Sequence, residues 1–233
     1  AVTGAGQLTA WTGTTNVNAA VAMSNLRIAG GTVQGSGTVT VSGAVDLQSG
    51  ALGGALNLTA NGALNWSGGS MAGSGTTTVA SGGVLTISGA GNKFLEGPSR
   101  TLTNNSAAGS TWSGTGAITA AVDGNGTFNN AGLLDMQSDA PFAYGYFNNS
   151  GTLTKSAGAS AKDFNLSFGT FSNTGTVNVN TGTIVLYGSG TDTGTYNIAG
   201  GSQVQVGNRT FNAGAAVTGA GQLTAWTGTT NVN

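Results

Sequence analysis

The chain has 233 residues, of which 43 are Gly, 35 Thr, 23 Asn and 21 Ser, so four small or polar types fill just over half of it. Charged residues are 6% with a net charge of -1, against about 25% charged in an ordinary soluble domain, and His and Cys are absent. That excludes zinc fingers, thiol nucleophiles and His-based triads. Six thinly spread cations give no footprint for nucleic acid, and no apolar run approaches the roughly 18 residues of a membrane span.

Disorder and an all-β fold both suit a Gly-rich, Ser-rich chain. Disordered segments are charged, Pro-rich and poor in hydrophobes, whereas this chain is 38% hydrophobic with two Pro. Short runs of Val, Leu, Ile and Thr broken by Gly, Asn and Ser read as strands and turns. Gly and Thr recur too often for a helical period to persist.

Along the chain the elements repeat. Residues 1–18 read AVTGAGQLTAWTGTTNVN, and residues 216–233 repeat them at all eighteen positions. Residues 1–215 therefore read as one complete long repeat of a continuous solenoid, and 216–233 as the start of the next. The segment Gly35-Ser36-Gly37-Thr38-Val39-Thr40-Val41 returns at 73–79 as GSGTTTV. Phe128-Asn129-Asn130-Ala131-Gly132-Leu133-Leu134 returns 19 residues later from Phe147, and again 24 residues after that from Phe171. These offsets predict rungs of about 19–26 residues, nine to eleven per long repeat.

Rungs of that length with variable turns fit an all-β, right-handed parallel β-helix (β-solenoid) better than propeller blades or leucine-rich repeats. Like residues then stack on like, which penalises charge and favours Asn, Thr and Phe ladders. The structural ladder residues are expected to be Phe128, Phe147 and Phe171, facing inward on successive rungs, with Asn130, Asn149 and Asn173 at the adjoining turn. Residues 216–233 are expected to repeat the conformation of 1–18, displaced along the axis by one repeat.

The F-N-N-x-G-T-L and G-S-G-T-V-T-V patterns resemble the large Gly/Thr/Asn/Ser-rich β-strand-repeat proteins of bacterial surfaces, the adhesin-like and autotransporter-passenger-like chains. The resemblance covers nearly the whole chain and implies a secreted β-solenoid shaft, located outside the cell or on its surface. A structural fibre unit is the leading reading; the stalk of an adhesin, with its specificity elsewhere, and a carbohydrate-active β-helix are the alternatives. Expected partners are further copies of the repeat along the chain, laterally associated neighbours in a fibre, and surface glycans for an adhesive stalk.

No catalytic, cofactor or metal site is expected. The carboxylates include Asp135, Asp139 and Asp163, which could share one face as in a glycosidase, but scattered solvent-facing charge that keeps the shaft soluble is the reading preferred. Asp123-Gly124-Asn125-Gly126-Thr127 alternates oxygen donors, yet an EF-hand frame fails at Phe128 and Leu134. The Gly-x-Gly stretches at 35–37 and 188–190 lack the following helix that a dinucleotide site needs. Thr-x-Thr pairs at 38/40, 76/78, 101/103 and 152/154 are too widely spaced for a continuous hydroxyl face. Phe142, Tyr144 and Tyr146, beside Pro141, form the one local cluster of rings and are expected either to make a contact patch, for sugar or a neighbouring chain, or to pack as the cap of a wider rung. With so few charges, salt is expected to have little effect on association.

Overall fold

A computed structural model describes residues 6–120 and 126–233 of the chain. It is an all-β parallel β-solenoid, with no helix among the described residues. Most rungs have three strands; in four, one long strand (Asn25–Gln34, Ala44–Leu52, Ala161–Asn173 or Thr183–Asp192) runs round a corner and serves two faces. Each face pairs in parallel with its counterpart on the next rung, so three ladders form. The first face runs from Gln7–Ala10 through Asn25 to Ala216–Thr218. The second runs from Thr14–Asn16 to Gln222–Ala225, and the third from Ala20–Met23 to Thr230–Val232. Each ladder joins eleven strands among the described residues.

The rung step is irregular. Gln7 pairs with Asn25, a step of 18, whereas Thr101 pairs with Thr127, a step of 26. The extra residues are taken up at the corners, so the ladders stay in register while loops vary.

Strand alternation sorts the sequence between interior and exterior. In Thr38–Val41 both threonines are exposed and both valines buried. In Ala63–Trp66, Leu64 and Trp66 are buried and their neighbours half-buried. One inward column on the first face reads Leu26, Val45, Leu64, Leu85 up successive rungs, and later Leu134, Leu153, Val177, Tyr196. Each such side chain removed from water contributes roughly 1.5–3 kcal/mol. The core is therefore a continuous rod of stacked apolar residues.

The corner glycines are needed for close approach as much as for backbone freedom. A Cβ on Gly190 would lie 1.9 Å from the Phe171 carbonyl oxygen of the rung before and from Arg209 Nη1 of the rung after. Tyr144 is the one described non-glycine residue with positive φ, at 63°, followed by Gly145 at 62°. An L-residue there carries a local cost of roughly 1–2 kcal/mol.

Candidate functional site

The middle rungs concentrate two ladders and a set of buried ions. On the third face Phe128 pairs with Phe147, and Phe147 with Phe171. All three rings are fully buried. Phe147 lies 4.9 Å from Phe128 and stacks on Phe171 at 5.5 Å with the planes 4° apart. Two further rings, Phe142 and Phe164, pair on the second face and project into the same interior. They meet Phe147 edge-on at 5.4 and 5.1 Å, so five rings interdigitate across the rod.

Of the two roles expected for the ring cluster, packing holds for Phe142, which belongs to the core and not to an outward patch. Phe142 faces inward because it occupies a buried strand position, and Phe147 does the same. Tyr146 is half-buried, and Tyr144, at 37% exposure, is the most open ring of the segment. Nothing in the local composition beside Pro141 distinguishes a buried phenylalanine from an exposed one; its pairing partner Phe164, 22 residues on, was the available signal.

Two residues beyond each ladder phenylalanine stands an asparagine. Asn104, Asn130, Asn149 and Asn173 pair in sequence and are fully buried. Up to Asn149, each Nδ2 donates to the next asparagine and to a main-chain carbonyl: Asn130 to Asn149 Oδ1 at 2.8 Å and to the Thr152 carbonyl at 3.1 Å, Asn149 to Asn173 Oδ1 at 2.8 Å and to the Thr176 carbonyl at 3.0 Å, with a longer bond to the Gly151 carbonyl at 3.4 Å. Asn104 begins the run, donating to Asn130 Oδ1 at 2.9 Å and to the Leu133 carbonyl at 3.2 Å. The amide column thus stitches the corner between the third face and the next rung's first face, satisfying buried groups that an apolar core would strand.

The column continues into Asp192, which accepts from the Asn173 main-chain N–H. Asp192 is fully buried and held by the Arg209 guanidinium and the Tyr196 hydroxyl, which donates at 2.8 Å. Burial pushes the Tyr196 phenol up, so it stays a donor. Arg209 also donates to the Phe171 carbonyl, two rungs down, passing through the space left by Gly190. Arg100 repeats the device: it stands one rung above Gly75, donating to the Leu56 carbonyl at 3.1 Å and Thr77 Oγ1 at 2.6 Å. Burial lowers its pKa to about 10.

Three lysines are interior as well. Lys155 Nζ pairs with Asp139 at 2.6 Å and donates to the Ala157 and Gly158 carbonyls. Lys162 Nζ donates to the Ala140 carbonyl and sits 3.2 Å from the centroid of the Trp112 ring. Burial, with the charge of Lys155 adding to it, holds Lys162 well below the usual ammonium range. Lys93 Nζ donates to Gly91 O. Residue type alone argues against this placement, since lysine is almost never buried unless paired.

The exterior is therefore not the balanced surface expected from net charge. Of the six cations only Arg27 is half-buried, the other five being fully buried. Five acids, Asp46, Glu96, Asp135, Asp139 and Asp163, remain half-buried at the surface. They do not share a face: Asp135 lies on the first, Asp163 on the second, and Asp139 in the connection between these faces of one rung. Asp135 accepts from Gln137 Nε2 and Ser156 Oγ, and burial raises Asp163. The oxygen-donor run at 123–127 falls largely outside the described residues, and among the described residues no cluster of three or more acids is placed to hold a metal ion.

Outward columns are polar. Thr40, Thr59, Thr78 and Thr103 stack on consecutive rungs of the third face and continue as Asn129 and Asn148, whose amides hydrogen-bond at 2.9 Å. The Thr-x-Thr spacing looked sparse because the intervening rung reads Asn57-Leu58-Thr59, which supplies the missing hydroxyl. Thr152 and Thr154 lie on the first face instead.

No family model, curated relative or solved structure matches this chain. The molecule is a rod whose buried ions and ring cluster lie inside and whose exterior repeats hydroxyl and amide columns.

Proposed function

We propose that this chain is a structural unit of a much longer tandem β-solenoid, secreted and serving as the shaft of an extracellular fibre or surface appendage. One observation carries the reading. The second copy of the 18-residue sequence does not begin a new body: its strands Ala216–Thr218, Gln222–Ala225 and Thr230–Val232 extend the three ladders without a break. A repeat that continues its predecessor's sheets lengthens a rod. Buried cations bonded to carbonyls and carboxylates inside the shaft, and an exterior of hydroxyl and amide columns, suit a load-bearing role.

Lateral association follows from outward Thr and Asn columns presented on many rungs, where weak contacts add along the length. Because the charge left at the surface is mostly acidic and not balanced, added salt screens repulsion between shafts and should promote bundling, in place of the small effect expected from composition. The test is to produce two and three tandem units and measure their dimensions by small-angle scattering and electron microscopy. A stiff rod growing by about 50 Å per unit, from about 4.8 Å per rung, supports the proposal. Units joined as independent beads overturn it.

A further inference from the structure

The two copies of the 18-residue sequence occupy different faces of the rod. Gln7–Ala10 lies on the first face, paired with Asn25–Ile28, while the identical Gln222–Ala225 lies on the second, paired with Gln203–Val206. Likewise Thr15 and Asn16 pair on the second face, while their duplicates Thr230 and Asn231 pair on the third. The same backbone is kept at the intervening corner, with φ of 72° at Gly13 and 71° at Gly228. The same indole leaves the shaft at each copy, at different corners: Trp11, 62% exposed, between the first and second faces, and Trp226, 56% exposed, between the second and third.

We infer that successive units of the array advance by ten turns and one further face, so that each unit is rotated by about a third of a turn relative to the last and the shaft returns to phase only after three units. Ten rungs separate Gln7 from Gln222, and one face is added. The inference rests on the tandem reading above and specifies its joint. The strand Gln7–Ala10 is built to sit on a copy of Gln203–Val206, and Thr15–Val17 on a copy of Arg209–Phe211, because that is what their duplicates do. Leu8, Val17, Val21 and Met23 line an apolar mouth of about 540 Å³ at the first described rung. The duplicates of Leu8 and Val17 stand over Val204 and Phe211, which names the side chains of the covering rung.

The physical reason is that the faces are interchangeable at this point. The sequence Gln-Leu-Thr-Ala aligns its Leu and Ala with buried apolar residues on either face: Leu26 and Ile28 on the first, Val204 and Val206 on the second. Nothing in the ladder penalises the change of face. A feature that occurs once per unit is then displayed around the shaft in three directions, about 50 Å apart along it at 4.8 Å per rung. A shaft of this kind can contact neighbours on all sides and does not confine them to a flat ribbon.

The chain has no cysteine, which makes engineered pairs unambiguous. Aligned parallel partners stand about 4.8 Å apart, inside the Cα range of a disulfide. In two tandem units, Gln203→Cys with Gln222→Cys should oxidise to a disulfide, while Thr195→Cys with Gln222→Cys, the in-phase alternative, should not. In three tandem units carrying Thr12→Cys in every copy, a gold label on each should appear by electron microscopy at three corners with fixed axial spacing. Labels in a single line, or the 195–222 disulfide, overturn the phase advance while leaving a continuous rod intact. Labels with no fixed spacing overturn the tandem rod itself, and the inference with it.

Discussion

Asn149→Ala tests whether the buried amide column holds the middle rungs together. The substitution removes an acceptor from Asn130 Nδ2 and a donor from both Asn173 Oδ1 and the Thr176 carbonyl. Asn130 Nδ2 keeps the Thr152 carbonyl, but Asn173 Oδ1 is stranded in a fully buried position. Two lost hydrogen bonds at about 1 kcal/mol each and one stranded acceptor at about 1–3 kcal/mol give a cost of roughly 3–5 kcal/mol. Asn148→Ala is the control: its amide bonds Asn129 on the outside, half-buried, and its loss should cost under about 1 kcal/mol. Asn149→Asp keeps the acceptor but faces a carboxylate with two acceptors, so burial would hold its pKa above the unfolded value. Its stability should then be greatest at low pH and fall as pH rises above about 4. Urea midpoints, read with amide exchange at Asn130 and Asn173 to localise the opening, measure all three. Equal costs for Asn149→Ala and Asn148→Ala would refute the argument that burial of the column sets its worth.

Phe147→Ala empties the centre of a five-ring cluster and should destabilise by about 3–5 kcal/mol in thermal or urea unfolding, the range for buried Phe→Ala. Gly190→Ala should displace Arg209 from Asp192 and cost about 3–5 kcal/mol, as when a buried pair is broken, whereas Gly82→Ala, with open space around it, should be near neutral. Lys162 binds its proton less readily folded than unfolded, so the native chain should gain stability as pH rises from neutral towards 10. Lys162→Met should flatten that slope, which urea midpoints across the range would show.

The ladders were legible because their spacing carries the information. Phe128, Phe147 and Phe171 each head the same seven-residue pattern, and in a parallel solenoid a shared pattern means a shared column. The stacking of Thr59 between Thr40 and Thr78 was missed for the converse reason: its rung begins with Asn57, which breaks the motif without breaking the column. The interior cations were not legible at all. Arg100 and Arg209 are buried because Gly75 and Gly190 leave a channel to a carbonyl two rungs below, a relation between three rungs that no local pattern reveals. Phe142 is a core residue although a ring beside Pro141 and two tyrosines reads as a loop cluster. The face change between the 18-residue copies was equally hidden. A 215-residue offset divided by rungs of 18 to 26 residues does not fix a whole number of turns.

The irregular rung explains how these features coexist. In a solenoid with a strict period, every insertion shifts the strands that follow, and one residue of slip would turn the hydrophobic set outward. Here the extra residues enter only at corners, as between Thr76 and Thr127, where two successive steps are 25 and 26. Those long rungs precede the aromatic column and carry the start of the amide column, Asn104 and Asn130. The first of them brings in Arg100, which bonds the Leu56 carbonyl two rungs back. Ladder register therefore depends on strand pairing alone, and corner length is free to place buried cations, to vary the outline of the shaft, and to let the unit close one face out of phase. A mutation that lengthens a corner should thus be tolerated far better than one that adds a residue within a strand, because only the second moves apolar side chains from the core to water.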